Sequence, residues 1–484
     1  MIKTSLSQLT EELNAKLIGG DAEVMQVKTD SRANCENGLF VALRGPHFDA
    51  HDFLTQVVEQ GAKGLIVEKE SALDIPQLVV ANSKLALGDL ARLNREKIDA
   101  KFIAITGSSG KTTVKEMVAS ILHNVGLTHA TKGNFNNDIG VPLTLLEMNE
   151  SHQFGVIELG ANHAGEIGYT AAITQPDVAV INNVAAAHLQ GFGDLQGVAR
   201  AKGEIFSELK ADGIAVINND DEFADFWKKK VTNKILTFST KENADVLANN
   251  IQLGQEQCPQ FELEYAGEKA FISLPLAGLH NVNNALAAAT CCIAIGISLA
   301  DIRQGLSQVP VVTGRLMTEI LANGCRVIDD SYNANLDSMR AAINLLSKYS
   351  GRKILVIGDM AELGEAGRLC HEQVGEMASN ANIDFLYTCG VLTQFSQSAY
   401  AASNQSRQGL HFSNQQQLIQ KLKQEALVEP LDNGGTTILI KGSRSAHMEN
   451  VVMALIENNE QEHRSSALVS KQKNKKIDCQ KEEL

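Results

Sequence analysis

The chain has 484 residues, 44% hydrophobic and 21% charged, a globular composition too long for one ordinary domain; about three are expected at roughly 150 residues each. A formal charge of -14 argues against a protein that wraps nucleic acid, and 5% aromatic content with a single tryptophan, Trp227, offers no base-stacking surface. No run of about 18 apolar residues occurs, so no integral membrane segment is expected, and the acidic, amphipathic start MIKTSLSQLTEELNAKL lacks the apolar region of an export signal; a cytoplasmic protein is expected.

Residues 1–98 read as a small α/β unit, with strands LFVALRG (39–45) and KGLIVE (63–68) around a helical HDFLTQVVEQGA. The charged, loosely helical LARLNREKIDA (90–100) is a plausible boundary. KFIAIT (101–106) opens a second pattern, in which FGVIEL, VAVINNV and GIAVINND alternate with helices; that alternation indicates a mostly parallel sheet. From about 246 to 277 the strands read as antiparallel, and the alanine-rich helix NVNNALAAATCCIAIG follows. A second boundary falls near SQVPVVTGR (307–315). Beyond it come a hairpin-like LMTEILANGCRVIDDSY and renewed α/β alternation at KILVIGD, DFLYTCG and TTILIKGS, a Rossmann-like pattern without G-x-G-x-x-G. From 457 onward, 12 of 28 residues are charged and apolar periodicity is lost, so a disordered tail is expected.

The eight cysteines, Cys35, Cys258, Cys291, Cys292, Cys325, Cys370, Cys389 and Cys479, include no C-x-x-C pair. Several lie in apolar runs, and buried free thiols in a reducing compartment are the expected state.

The sharpest signal is Thr106-Gly107-Ser108-Ser109-Gly110-Lys111-Thr112-Thr113, which follows a buried strand and opens a helix. Glycines let successive N–H groups turn toward phosphate oxygens, and the helix N-terminus adds partial positive charge. Lys111 can reach β/γ-phosphates and Thr112 can ligate Mg2+. The full pattern wants glycine at 105, where this chain has Ile105, so the loop is a shortened variant. Glu158, at the end of VIEL, is a carboxylate suited to Mg2+, a cation that takes oxygen ligands. His188 follows another strand end, and Lys202 in ARAKGEIF reads on its own as a solvated helix lysine. Two polar clusters stand out. Gly278 to Asn284 opens the alanine-rich helix, where asparagines can cap it or read an adenine edge. Asp329 to Asn335 follows a strand end, where α/β sheets bind ligands.

In order along about residues 1 to 456, TGSSGKTT, GNFNNDIGVPLT, VIELGANHAGEI, AAAHLQGFG with AKGEIF, GLHNVNNALAA, GRL, DDSYNANLDSM, GDMAELGE and KGSRSAHME resemble the Mur ligase family. DSYNAN and GDMAELGE point to its D-alanyl-D-alanine-adding branch. The resemblance implies three domains: a UDP-N-acetylmuramoyl-peptide-binding domain at 1–98, a P-loop ATP-binding domain at 99–312 and a Rossmann-like ligase domain at 313–456, with the tail at 457–484. It implies a cytoplasmic, monomeric ligase of peptidoglycan precursor synthesis that uses ATP and Mg2+, with two ions, to join UDP-N-acetylmuramoyl-tripeptide and D-alanyl-D-alanine through an acyl phosphate. It also carries roles. Thr106 to Thr113 match the ATP phosphate site, with Asn281, Asn284, Arg315 and Asp330 as further ATP contacts. Thr112, Glu158, His188 and a carbamylated Lys202 match metal ligands, and Lys111, Glu158, His188 and Lys202 the catalytic set. Ser31, Arg32 and Arg44 resemble the UDP-sugar site, and the acceptor dipeptide is expected near Asn333 and Asn335.

Two other readings stay open: a folylpolyglutamate-type ligase on the same scaffold, which would lack the unit before the P-loop, and a P-loop regulatory ATPase, which would hydrolyse ATP without an amine acceptor. Whether the third residue of the tripeptide is meso-diaminopimelate or L-lysine is not written in these motifs.

Overall fold

Strand-forming apolar runs separated by polar turns build three stacked α/β units in a computed structural model that describes residues 1–186, 189–403, 408–426 and 435–457. His188 and the tail expected from 457, apart from its first residue, lie outside the described residues.

In the first unit, α1 (Leu6–Glu12) starts at a capping box in which Ser5 and Gln8 satisfy each other's backbone N–H groups. Five strands follow: β1 (Lys16–Ile18), β2 (Gln26–Lys28), β3 (Gly38–Val41), β4 (Gly64–Val67) and β5 (Gln77–Val79). They lie in the order β1-β5-β4-β3-β2, all pairs parallel except β1 with β5. All residues of β3 and β4 are buried, the pattern of a parallel sheet covered on both faces. Helix α2 (Leu54–Glu59) covers one side. Helix α3 (Ser83–Glu96), capped by Asn82, links to the next unit.

The boundary segment differs from its expected charged, loose helix. Most of it is the rear half of α3, and two of its polar residues, Asn94 and Arg95, are buried. Asn94 Nδ2 donates to the carbonyls of Leu145 (2.9 Å) and Met148 (3.1 Å), and Arg95 Nε donates to that of Thr174 (2.8 Å). Those carbonyls lie at helix ends of the second unit, so Asn94 and Arg95 serve bonding between units.

The second unit has a nine-stranded sheet: β6 (Lys101–Thr106), β7 (Thr128–Ala130), β8 (Phe154–Glu158), β9 (Val178–Ile181), β10 (Ile214–Asn218), β11 (Lys234–Ser239), β12 (Val246–Leu253), β13 (Pro259–Tyr265) and β14 (Glu268–Ser273). The order is β7-β8-β6-β9-β10-β11-β12-β13-β14. Pairs are parallel as far as β12, and β13 and β14 add the antiparallel part. Its helices are α4 (Lys111–His123), α5 (Gly140–Leu146), α6 (Glu166–Thr174), α7 (Leu189–Phe192), α8 (Leu195–Gly203), α9 (Ala224–Lys228), α10 (His280–Ala294) and α11 (Leu299–Ser307). Alanine lets α10 lie close to the sheet, and most of its residues are buried.

The third unit has strands β15 (Met317–Ile320), β16 (Arg326–Asp330), β17 (Arg352–Gly358), β18 (Phe385–Cys389), β19 (Gln408–Phe412) and β20 (Thr436–Lys441), ordered β15-β16-β20-β17-β18-β19 and parallel except at β15. Helices α12 (Leu336–Leu346), α13 (Gly367–Asn380), α14 (Thr393–Ser403) and α15 (Gln415–Ala426) surround it. The α/β class, the small antiparallel extension and the Rossmann-like third sheet are as expected from sequence. The described cysteines are all free thiols, five of them buried; Cys479 lies outside the described residues.

Candidate active site: a phosphate cleft between two sheets

Strand β6 ends at Thr106, and the chain turns through Gly107 to Gly110 before α4 begins at Lys111. Gly110, the N-cap, has φ 78, a left-handed conformation that costs a side-chain-bearing residue about 1–2 kcal/mol. A Cβ there would collide with the side chains of Asn182 and Asn284. Gly110→Ala is therefore expected to lower both the melting temperature and ADP affinity, measured by thermal melts with and without ADP. Lys111 Nζ donates to the carbonyl of Gly107 at 2.7 Å. Burial lowers its pKa, and Glu158 opposes that shift. Thr106 is buried, with Oγ1 bonded to the carbonyl of Leu159.

A cavity of about 600 Å3 opens over this loop. Its walls include Ser108 to Thr113, Glu158, Asn281 and Asn284 from the second unit, and Arg315, Asp330, Asn333 and Asn335 from the third. The structure thus brings together most of the residues that sequence singled out for ATP. Thr106, Gly107 and Lys202 are not part of that wall.

Glu158 is almost fully buried and tightly held. Thr112 Oγ1 donates to Oε2 and Asn136 Nδ2 to Oε1, both at 2.8 Å, while the Glu158 N–H donates to Thr131 Oγ1. Thr112 and Glu158 form a hard-oxygen pair of the kind that holds Mg2+ beside substrate phosphates. Among the described residues no cluster of three or more His, Cys, Asp or Glu side chains forms a ready-made metal cage. Two oxygen ligands completed by phosphate suit Mg2+ better than such a cage does.

Lys202 departs from its reading as a solvated lysine. Its residue is 2% exposed, and α8 turns it inward beside buried Val198, Ala199 and Ala201. Burial, then the nearby Lys111, lowers its pKa well below the ordinary lysine value.

Sequence reading missed Asn182 and Asn183. Parallel pairing sets Ile181 beside Thr106, so the two asparagines after β9 stand against the P-loop. Asn182 Nδ2 donates to the carbonyl of Ser109 (3.0 Å) and to Asn284 Oδ1 (2.9 Å), and Asn284 Nδ2 donates to Asn281 Oδ1 (2.8 Å). Asn183 Oδ1 accepts from the Ser109 N–H at 2.8 Å. The signal was two amides directly after an apolar strand, in VINN.

Across the cleft, Arg315 Nη2 donates to Thr112 Oγ1 at 2.9 Å, and its guanidinium lies 4.4 Å from the Tyr332 ring centroid. Among the described residues Arg315 Nε is buried without a hydrogen-bond partner, a donor on the cleft wall that a ligand oxygen would satisfy. Lys441, also missed, is buried at the end of β20 and donates to Asp330 Oδ2 (2.6 Å) and to the carbonyl of Asn333 (2.9 Å). Burial raises the Asp330 pKa, and Lys441 opposes it. His280 is pushed down to about 4 by burial, then by Lys441, and so stays neutral. Asn335 caps α12 through Ser338 and donates from Nδ2 to Ser109 Oγ at 3.0 Å, a direct bond between the third unit and the P-loop. Asn333 Oδ1 accepts from the Ala334 N–H.

Ser31, Arg32 and Arg44 lie in the first unit, away from this cavity. Arg32 grips Asp30 with two bonds of 2.9 Å, which hold that carboxyl down to about 2. Arg44 pairs with Asp49 (2.9 Å) and Glu68 (3.1 Å), and Ser31 is buried.

Comparison with known proteins gives this cleft a family. Residues 105–292 match the Mur ligase middle domain, and residues 314–444 match the family described as Mur ligase, glutamate ligase domain. The chain is 46% identical over 460 residues to the UDP-N-acetylmuramoyl-tripeptide–D-alanyl-D-alanine ligase of Escherichia coli K12, covering 95% of this chain and 99% of that protein. It superposes on a crystal structure of MurF from Acinetobacter baumannii with a TM-score of 0.87 at 39% identity, over 93% of this chain and 98% of the other. MurF from Thermotoga maritima, solved in complex with ADP, gives 0.80 at 26% identity, over 91% and 99%. A P-loop facing a Rossmann-like sheet, matched along nearly the whole length of these relatives, means that the chain belongs to the Mur ligase family.

Proposed function

We propose that the chain joins D-alanyl-D-alanine to UDP-N-acetylmuramoyl-tripeptide at the expense of ATP, giving UDP-N-acetylmuramoyl-pentapeptide, ADP and phosphate. The observation that carries this reading is the single cleft in which the P-loop and the Thr112–Glu158 pair face Arg315 and Asp330 of the third unit. A tripeptide carboxylate oxygen attacks the γ-phosphorus, and ADP leaves. The dipeptide amine then attacks the acyl carbon, loses a proton, and phosphate leaves as the amide forms. Residues Gly107 to Thr113 cradle the phosphates, and Lys111 neutralises charge where two anions meet. Asp330, held by Lys441, takes the ribose, and the asparagines of α10 lie toward adenine.

Thr112 and Glu158 are the described residues that would hold Mg2+, with His188 and a carbamylated Lys202 as candidates for a second ion. When bound, Mg2+ would supply charge neutralisation between carboxylate and phosphate. The first unit, 1–98, takes the UDP-sugar through Ser31, Arg32 and Arg44; 99–312 takes ATP; 313–456 takes the acceptor on the wall that holds Asn333 and Asn335. One chain completes the cleft, which supports a monomer. ATP and a nucleotide sugar as substrates support a cytoplasmic setting. No helix among the described residues is long and apolar enough to cross a membrane.

The test is mass spectrometry of the product from purified protein, ATP, UDP-tripeptide and D-alanyl-D-alanine. The expected product is the pentapeptide nucleotide, with ADP release that depends on the dipeptide. ADP formed equally fast without dipeptide, or only with folates, would refute the reading. Running diaminopimelate and lysine tripeptides in parallel would identify the third residue.

A further inference from the structure

The acceptor in the reading above is a zwitterion, with an ammonium and a carboxylate roughly 7 Å apart along two extended residues. A site for it needs two opposite charges on the side of the cleft that faces the phosphates.

Strands β17 and β20 are parallel neighbours, with Ile357 beside Lys441. Their following loops leave the sheet together, and the Ser443 N–H donates to the carbonyl of Asp359 at 3.0 Å. Each loop brings one charged residue to the cleft wall: Glu362 from the first and Arg444 from the second. Glu362 sits at φ 62, a left-handed conformation that a non-glycine residue adopts only where its surroundings impose it. Those surroundings are visible. Leu363 is buried in the third unit, and the Glu362 carbonyl accepts from the Gln190 N–H of α7 in the second. Glu362 is thus fixed at the seam, and its charge is felt by Lys111.

Arg444 is the complementary cation. Its side chain is 62% exposed, one guanidinium nitrogen pairs with Glu449 at 2.9 Å, and its centre lies 6.0 Å from the Tyr332 ring centroid. The other cations on the cleft wall lie on the nucleotide side of it: Lys111 on Gly107, Arg315 on Thr112 of the P-loop helix and Lys441 on Asp330. A guanidinium has five donors, so Arg444 can hold Glu449 and a carboxylate together.

We propose that Glu362 and Arg444 form the acceptor site, Glu362 binding the dipeptide ammonium and Arg444 its carboxylate, so that the amine waits on the third-unit wall facing the P-loop. This assignment rests on D-alanyl-D-alanine being the acceptor.

Steady-state kinetics of Glu362→Gln and Arg444→Gln test it. Each substitution removes charge and keeps most of the shape. Both should raise KM for D-alanyl-D-alanine about tenfold or more, the scale of one charge-assisted contact, and leave KM for ATP and UDP-tripeptide within about twofold. D-Alanyl-D-alaninamide, which lacks the terminal carboxylate, should be a poor acceptor for the wild-type enzyme. The penalty of that amide should shrink in Arg444→Gln, because one contact cannot be lost twice. An unchanged KM for the dipeptide in either variant, or all three KM values rising together, would overturn the assignment. If the wild-type enzyme makes pentapeptide nucleotide, such a result leaves the proposed function standing. If it makes none, the function falls, whatever the variants do.

Discussion

Lys111→Ala is expected to lower kcat/KM for ATP by about 10³-fold, close to 4 kcal/mol at 1.36 kcal/mol per factor of ten. The reaction brings a carboxylate against a polyphosphate, and Lys111 is the cation at the turn where the phosphates would lie. Its Nζ rests on the Gly107 carbonyl, 2.7 Å away, so it is already positioned within the loop. Preorganised charge of this kind contributes most in a partly dry cleft, because no solvent has to reorganise as the reaction proceeds. Stability should behave differently. Lys111 is the first residue of α4, at the positive end of the helix dipole, so removing it relieves an unfavourable interaction as it breaks one hydrogen bond. The melting temperature without nucleotide should stay within a few degrees, and the increase produced by ADP should be lost. Arginine should not restore turnover, since its wide planar fork does not fit the place of a compact ammonium under a carbonyl. ADP release and thermal melts check both halves. A loss below about tenfold in Lys111→Ala would mean that this loop does not handle the reacting phosphate.

The P-loop was legible because its signals are local: a buried strand, two glycines, a lysine and a helix start within a dozen residues. The nine-stranded sheet was legible in outline for the same reason, although β7 was not read from THA nor β11 from KILTFS. What escaped depends on pairing between distant segments. Asn182 matters because β9 lies beside β6, 75 residues away by its register of Ile181 with Thr106. Lys441 ends an apolar strand and reads as a solvated terminus. Its partner Asp330 stands opposite it in a parallel register 111 residues away. Asn335, expected near the acceptor, has its side chain in a helix cap and on Ser109, two uses of a short amide that sequence does not distinguish from ligand binding. Asn94 and Arg95 look like surface residues at a boundary, because the carbonyls they satisfy belong to helices of the next unit. Local chemistry was readable; the choice of partner for each polar group was set by topology.

Lys202→Ala is expected to lower kcat by about 10²–10³-fold, the size of effect seen when a preorganised electrostatic group is lost from an active site. The cause lies in its surroundings. Lys202 is 2% exposed, and among the described residues the charge that acts on it is that of Lys111, with no carboxylate to offset it. Burial and the neighbouring charge of Lys111 both favour the neutral amine. A neutral lysine amine is a nucleophile, and its Nζ can attack the carbon of CO2; an N–C bond forms, a proton leaves, and an anionic carbamate with two oxygens results. That exchange sets an anion beside Lys111, where an ammonium would repel it and a neutral amine gives no charge. It also offers a hard-oxygen ligand of the same type as Glu158. Lys202→Glu should recover part of the activity, because it supplies a permanent carboxylate on a shorter stem. Lys202→Met should be as inactive as the alanine variant but melt at or above the wild-type temperature, since a buried polar amine without a counter-charge gives way to an apolar chain of similar length. Wild-type activity should fall in CO2-depleted buffer and return with bicarbonate, while Lys202→Glu should not respond to either. Carbon-13 NMR after labelling with enriched bicarbonate should show a carbamate signal in the wild-type protein that is absent from Lys202→Ala. Full activity in Lys202→Ala, or a labelled signal that survives the substitution, would remove the carbamate from this site and leave Thr112 and Glu158 as its proposed metal ligands.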